Sequence, residues 1–253
     1  MRQLCYRTAE SEDHFDTARW SELQSRGFRT REHWQHQRDY KQWLKHWDYD
    51  PNHDDPEDLL YQPGDGYTYE RCLYASSQCG TCQRLGYHDQ AIVVSIDGAC
   101  RGNGTRYATA AYGVYFASNS PYSFAEESSE CNPTNQKAEL EAAIEALRFI
   151  RDMWRSEQDW DIERVIIKAD SEYVVKSMTS WVDKWNENGY INCKGLPVTN
   201  AELFDTLDDL IRELNQEGVG VQFWHVPRRF NTCADEWANG ALDEAEGLDV
   251  DWP

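Results

Sequence analysis

Four carboxylates stand where strands end or helices begin: Asp97, Glu139, Asp170 and Asp235. Asp97 follows the apolar run Ala91-Ile-Val-Val-Ser-Ile96, and Asp170 follows the short run from Arg164 to Lys168. Glu139 and Asp235 each fall early in a stretch of helical periodicity. Singly, none is unusual. An acid in the first turn of a helix complements the macrodipole, and an acid after a strand is a common turn residue. Jointly they are hard oxygen donors of the kind that suits a hard divalent cation, and their use depends on whether the elements bearing them converge.

Those elements can be read from pattern. Ala91–Ile96 suits a buried strand, and Gly113-Val-Tyr-Phe116 lies on a second strand bounded by Gly and Asn/Ser turns, so a hairpin is expected. Between Gln136 and Trp154, residues Ala138, Ala142, Ala143, Ala146, Leu147 and Ile150 share one helical face. Arg164–Lys168 reads as another buried strand. It is followed by helices near Ser171–Trp185 and Asn200–Gln216, a strand at Gly220–Trp224, and a last helix at Thr232–Ala245. The order βββαβααβα predicts an α/β fold with helices covering a mixed sheet. The boundaries expected are an extension over 1–90, helical and then Cys-rich, a main domain over 91–245, and an acidic tail over 246–253.

Four segments carry a resemblance to a known family. Ile96-Asp-Gly-Ala-Cys-Arg-Gly-Asn-Gly104, Thr134-Asn-Gln-Lys-Ala-Glu-Leu-Glu-Ala142, Ala169-Asp-Ser-Glu-Tyr-Val-Val175 and His225-Val-Pro227 with Asn231-Thr-Cys-Ala-Asp235 resemble the successive signatures of type 1 ribonucleases H, in that family's order. The resemblance covers about residues 91 to 245. It implies a ribonuclease H-like fold with a five-stranded mixed sheet flanked by helices. It further implies that Asp97, Glu139, Asp170 and Asp235 converge on two divalent cations, magnesium most often, with manganese as an alternative. The implied reaction is hydrolysis of the RNA strand of an RNA/DNA hybrid to 5′-phosphate and 3′-hydroxyl ends. Two metals about 4 Å apart serve such a reaction by activating water on one side of the phosphate and stabilising the departing oxygen on the other.

The same resemblance assigns substrate contacts. Asn103, Asn135 and Gln136 match positions that meet 2′-hydroxyl groups in the shallow minor groove of the hybrid. Thr134 and Asn200 match a phosphate pocket for the DNA strand, although the basic residue the family carries two positions before that Thr is here Asn132. Tyr173 and Trp185 match an aromatic channel beside the DNA, whereas Trp181, four residues earlier, is expected in the core.

The chain also departs from the family. A mobile loop normally reads His-Val-Pro-Gly-His, but here it reads His225-Val-Pro-Arg-Arg229 with Asp235 six residues on, so the loop is shortened and its histidine absent. Arg228 or Arg229 could contact phosphate in its place, though a guanidinium cannot act as a general acid near neutral pH. His225 matches the family's structural histidine. An alternative reading is therefore a weakly active or inactive nucleic-acid-binding or interaction protein on the same scaffold.

Charge sharpens that alternative. The chain carries 25 Lys+Arg against 45 Asp+Glu, a net charge of −20, the wrong sign for clustered phosphate contacts. No run of about 18 apolar residues occurs and the start lacks an apolar signal core, so an intracellular protein in nucleus or cytoplasm, away from membranes and monomeric, is expected. Cys72, Cys79, Cys82 and His88 offer the ligands of a small structural zinc site, with ordinary thiols or a redox pair as the other readings. Trp34, Tyr40, Trp43 and Trp47 recur near the helical period between Ser21 and Trp47, which suits packing against a partner element or a base-stacking platform.

Overall fold

A computed structural model describes residues 56–71, 87–156, 162–250 and 252. The aromatic stripe of Trp34, Tyr40, Trp43 and Trp47, and the cysteines Cys72, Cys79 and Cys82, lie outside these residues.

The organising element is one long strand. β3, Tyr87–Arg101, starts four residues before the expected run and is buried from Ala91 through Gly98. Its second half pairs antiparallel with β4, Thr109–Tyr115, which pairs with β5, Phe124–Glu127. Along its other edge it runs parallel to β6, Arg164–Ala169, and β6 runs parallel to β7, Gly220–His225. This is the expected hairpin-plus-parallel arrangement.

Two more strands come from the N-terminal extension, making a sheet of seven where five were expected. β1, Leu60–Tyr61, pairs with β2, Thr68–Arg71, and β2 pairs antiparallel with the first half of β3. The segment Pro63-Gly-Asp-Gly66 lies in the hairpin turn between them, with Gly64 and Gly66 both at φ 93°. A buried ion pair between Arg164 of β6 and Glu70 of β2 crosses β3 beneath the ladder. The described part of the extension shares the main sheet.

Alternation along β3 divides the core. Ile92, Val94 and Ile96 face α1, Asn135–Ser156, and α4, Ala201–Glu217, in the largest apolar cluster. Val93 faces the other way, with Ile166, Trp224 and Val226. α5, Thr232–Ala245, covers that opposite face by packing on β4 and β3. Between β6 and α4 runs one interrupted helix: α2, Glu172–Lys176, a π-helical turn at Ser177–Trp181, and α3, Val182–Asn188. Gly189, at φ 73°, ends it in the left-handed conformation a helix C-terminus favours.

Candidate active site

Strand register brings two of the acids together. Ser95 of β3 pairs with Lys168 of β6 in a parallel ladder, so Asp97 and Asp170, each two residues further along, emerge side by side on one face. The other two acids arrive on helices, and two glycines admit them. A Cβ on Gly98 would lie 2.2 Å from the Glu139 amide nitrogen and 2.3 Å from the Ala138 carbonyl carbon. Only a residue without a side chain lets α1 come that close, and this approach sets Glu139 against β3 beside Asp97. Gly113 stands opposite Asp97 in the β3–β4 ladder. A Cβ there would lie 2.6 Å from the Ala234 carbonyl oxygen, so Gly113 does for α5 and Asp235 what Gly98 does for α1.

The acids sense one another. The Asp97 carboxyl is pushed up to about 8, first by burial and then by the charges of Asp170 and Asp235, and it shares a hydrogen bond with Asp235. Glu139 is also raised, chiefly by burial and in part by Asp170, against the lowering effect of its hydrogen bonds from Ser171 and Asn135. Crowded carboxylates keep a proton when no cation is there to offset their repulsion. Among the described residues, no three His, Cys, Asp or Glu side chains close into a ready-made metal cage. The donor chemistry nevertheless fits a hard divalent ion, because the acids supply only oxygen and hold a proton in a place where a cation would relieve the repulsion.

Several positioning side chains were not singled out from sequence. The Ser171 hydroxyl donates to Glu139 and accepts from the Val174 amide, capping α2 while tying it to α1. Asn231 donates through Nδ2 to the Ile96 carbonyl at 2.9 Å and to Asp170 Oδ1 at 3.3 Å. Asn135, singled out as a 2′-hydroxyl contact, also has a positioning role: its Nδ2 donates to Glu139 Oε1 at 2.8 Å. Ser171 and Asn231 stand next to or within the four motif segments, so position in the motif was the available signal, and only the fold shows what they touch.

A model of the RNase H family matches residues 89–242. The chain belongs to that family. Ribonuclease H1 of Rattus norvegicus is 30% identical over 167 residues, covering 64% of this chain and 54% of the rat protein; the chain thus spans about half the length of that relative. Ribonuclease H of Clostridium botulinum is 30% identical over 159 residues, covering 60% of this chain and 96% of the bacterial protein. Among solved structures, LC11-RNase H1 in complex with RNA/DNA hybrid is 25% identical, covering 61% of this chain and 98% of that one, at a TM-score of 0.42. Strands β1 and β2 lie outside the matched RNase H region.

The expected substrate residues of this RNase H domain differ in exposure and in what holds them. Asn103 is exposed in the loop between β3 and β4, and Gln136 is exposed in the first turn of α1. Thr134 caps α1, its hydroxyl accepting from the Lys137 amide at 3.3 Å. Asn200, at φ 60°, adopts the left-handed conformation Asn tolerates and donates to the Tyr173 hydroxyl at 3.4 Å. The Tyr173 hydroxyl in turn donates to the Thr199 carbonyl. Arg228 pairs with Asp235, and Arg229 lies over the Phe230 ring, 4.5 Å from its centroid. His225 is exposed at the end of β7, and its Nε2 donates to the Asp170 carbonyl at 3.2 Å, the strand-end position expected of a structural histidine.

The tryptophan pair is reversed from expectation. Trp185, expected beside the DNA strand, is 9% exposed and packs on Phe204 and Tyr190, while Trp181, expected in the core, is 42% exposed. The cause is the π-helical turn that ends at Trp181. It adds a residue before Trp181 and so rotates the helix that follows relative to α2, while the two tryptophans stay neighbours, their ring centroids 5.8 Å apart, with Trp185 on the inner side and Trp181 on the outer. Of the suggested zinc ligands only His88 is described, and it lies in β3 opposite Glu70.

Proposed function

We propose that this RNase H family member is an endonuclease that hydrolyses the RNA strand of RNA/DNA hybrids by a two-metal mechanism, leaving 5′-phosphate and 3′-hydroxyl ends. The observation that carries the reading is the Asp97 carboxyl, pushed up by burial and by the charges of Asp170 and Asp235, with the half-buried Glu139 raised beside it. Asp97, Asp170, Glu139 and Asp235 would hold the ions. When bound, divalent ions lower the pKa of a water and neutralise charge on the leaving oxygen.

The chain's own residues do the rest. Ser171 and Asn135 orient the Glu139 carboxylate, and Asn231 fixes Asp170 against the end of β3. The exposed amides of Asn103 and Gln136 are suited to a 2′-hydroxyl, which both donates and accepts, and this is the group that separates RNA from DNA. Thr134, Asn200 and Tyr173 form the flank assigned to the DNA strand.

A second reading, a weakly active binding protein on this scaffold, is favoured by the Arg228–Asp235 pair and by the net charge of −20. Incubation of the purified chain with a labelled hybrid, a matched RNA duplex and a matched DNA duplex in Mg²⁺ or Mn²⁺ decides between them. Cleavage of the hybrid's RNA strand that disappears in Asp97→Asn is the expected result. Intact hybrid after long incubation at low salt, or cleavage that survives in the variant, would overturn the proposal.

A further inference from the structure

The link that replaces the family's mobile histidine loop is a fastened turn. Arg228–Phe230 form one turn of 3-10 helix. The Phe230 amide closes onto the Pro227 carbonyl and the Asn231 amide onto the Arg228 carbonyl, each at 2.9 Å. Lys168, buried on β6, donates through Nζ to the Phe230 carbonyl at 2.8 Å. Asn231, 1% exposed, ties the end of the turn to Ile96 and Asp170. Arg229 is taken up by Phe230.

Arg228 is the residue this frame aims at the acids. Its guanidinium donates to Asp235 Oδ1 although 75% of its side chain is exposed. Packing does not impose the contact, and the field of the cluster does. The charge of Asp235 foremost, with those of Asp97 and Asp170 behind it, pushes the Arg228 pKa up. A guanidinium stays charged at every accessible pH, so it can serve as a fixed counter-cation.

We infer that Arg228 is a built-in competitor for the metal site: it occupies Asp235 in the metal-free protein and must release that carboxylate before a divalent cation can use it. Lys168 and Asn231 are the positioning residues that keep the competitor in reach. The inference rests on the two-metal reading above and adds that the shortened loop sets metal affinity. Once displaced, the guanidinium is free to meet a substrate phosphate, so entry of metal and hybrid would release the same contact.

The test is calorimetric titration of Mn²⁺ into the whole chain at low ionic strength, with Arg228→Ala and Arg229→Ala compared. Circular dichroism and thermal melts confirm that all three are folded. Arg228→Ala should bind Mn²⁺ about fivefold more tightly, the upper range for a partly exposed ion pair, and added salt should shrink the gap. Arg229→Ala, which removes the same charge one residue away, should stay within about twofold of the parent, because its guanidinium does not touch the cluster. Equal or weaker binding by Arg228→Ala overturns the inference, as does an equal gain in Arg229→Ala, which would mean a diffuse field effect. Absence of Mn²⁺ uptake by all three folded proteins would instead overturn the metal reading on which the inference stands.

Discussion

Replacing Gly98 with alanine adds one methyl group where the structure leaves no room for it. The new Cβ would lie 2.2 Å from the Glu139 nitrogen and 2.3 Å from the Ala138 carbonyl carbon, both main-chain atoms of α1. Main chain cannot rotate away as a side-chain tip can, so α1 must retreat by more than an ångström to reach ordinary contact. Overpacking of this kind costs roughly 1–3 kcal/mol, and in a domain of this size each kcal/mol lowers Tm by about 2–4 °C. The functional cost is larger in proportion, because Glu139 moves with the helix while Asp97 stays on β3. Misplacement of a reacting constellation by about 1 Å can cost on the order of a hundredfold in rate. Gly98→Ala should therefore melt several degrees lower, bind Mn²⁺ more weakly and cleave hybrid far more slowly, with a far-ultraviolet spectrum like that of the parent. A Gly98→Ala protein with the parent's Tm and Mn²⁺ affinity would refute the close approach, and with it our account of how Glu139 joins the cluster.

Two further outcomes follow from buried charge. Asp97 holds its proton to about pH 8 in the folded chain but releases it near its ordinary value of 3.8 when unfolded; between these limits the folded state binds the extra proton, so this group makes metal-free protein less stable as pH rises. In chelator, Tm should fall from pH 5 to pH 8 more steeply in the parent than in Asp97→Asn, by the equivalent of a few kcal/mol at most, and saturating Mn²⁺ should flatten the parent's curve; parallel curves in chelator would count against the perturbed carboxyl. Glu70→Ala removes the carboxylate that faces the buried Arg164 guanidinium and should cost about 3–5 kcal/mol in urea unfolding, whereas a loss under about 1 kcal/mol would show that β2 is not an integral strand of this sheet.

Much of this architecture was legible because buried strands and amphipathic helices write their periods into sequence. The last helix, Thr232–Ala245, was placed to the residue, and Glu139, Asp170 and Asp235 stand at element ends as expected, whereas Asp97 lies inside β3, because the strand runs on through the hairpin pairing to Arg101. Strands β1 and β2 were missed for a physical reason: a two-residue and a four-residue strand carry too little alternation to register, and Thr68-Tyr-Glu-Arg71 looks half polar. Its burial depends on Arg164, almost a hundred residues away, supplying the charge that Glu70 meets. The burial of Trp181 and Trp185 was read the wrong way round because a period of 3.6 carried on from Ser171 assumes an uninterrupted helix, and no local signal announced the π-helical turn that precedes the pair. The roles of Gly98 and Gly113 were equally hidden, since a glycine's reason is whatever approaches it, and here that is a helix from elsewhere in the chain.

Charge ties the remaining observations together. Among the described residues, many surface cations are already engaged: Arg151 and Arg155 with Glu213, Arg155 also with Glu217, Arg212 with Asp208 and Asp209, Arg101 with Asp243 and Glu246, and Lys137 with Glu130. A hybrid approaching this surface would have to break such pairs to gain phosphate contacts, so the basic side chains offer less net attraction than their number suggests. On the proposed two-metal reading, divalent ions would then be the principal source of positive potential facing the scissile strand, and substrate affinity would be coupled to metal affinity. In a basic relative the two could vary independently. In this chain a group that competes for Asp235 also competes, indirectly, with the hybrid, which is why one arginine on a fastened turn matters more here than its single charge implies.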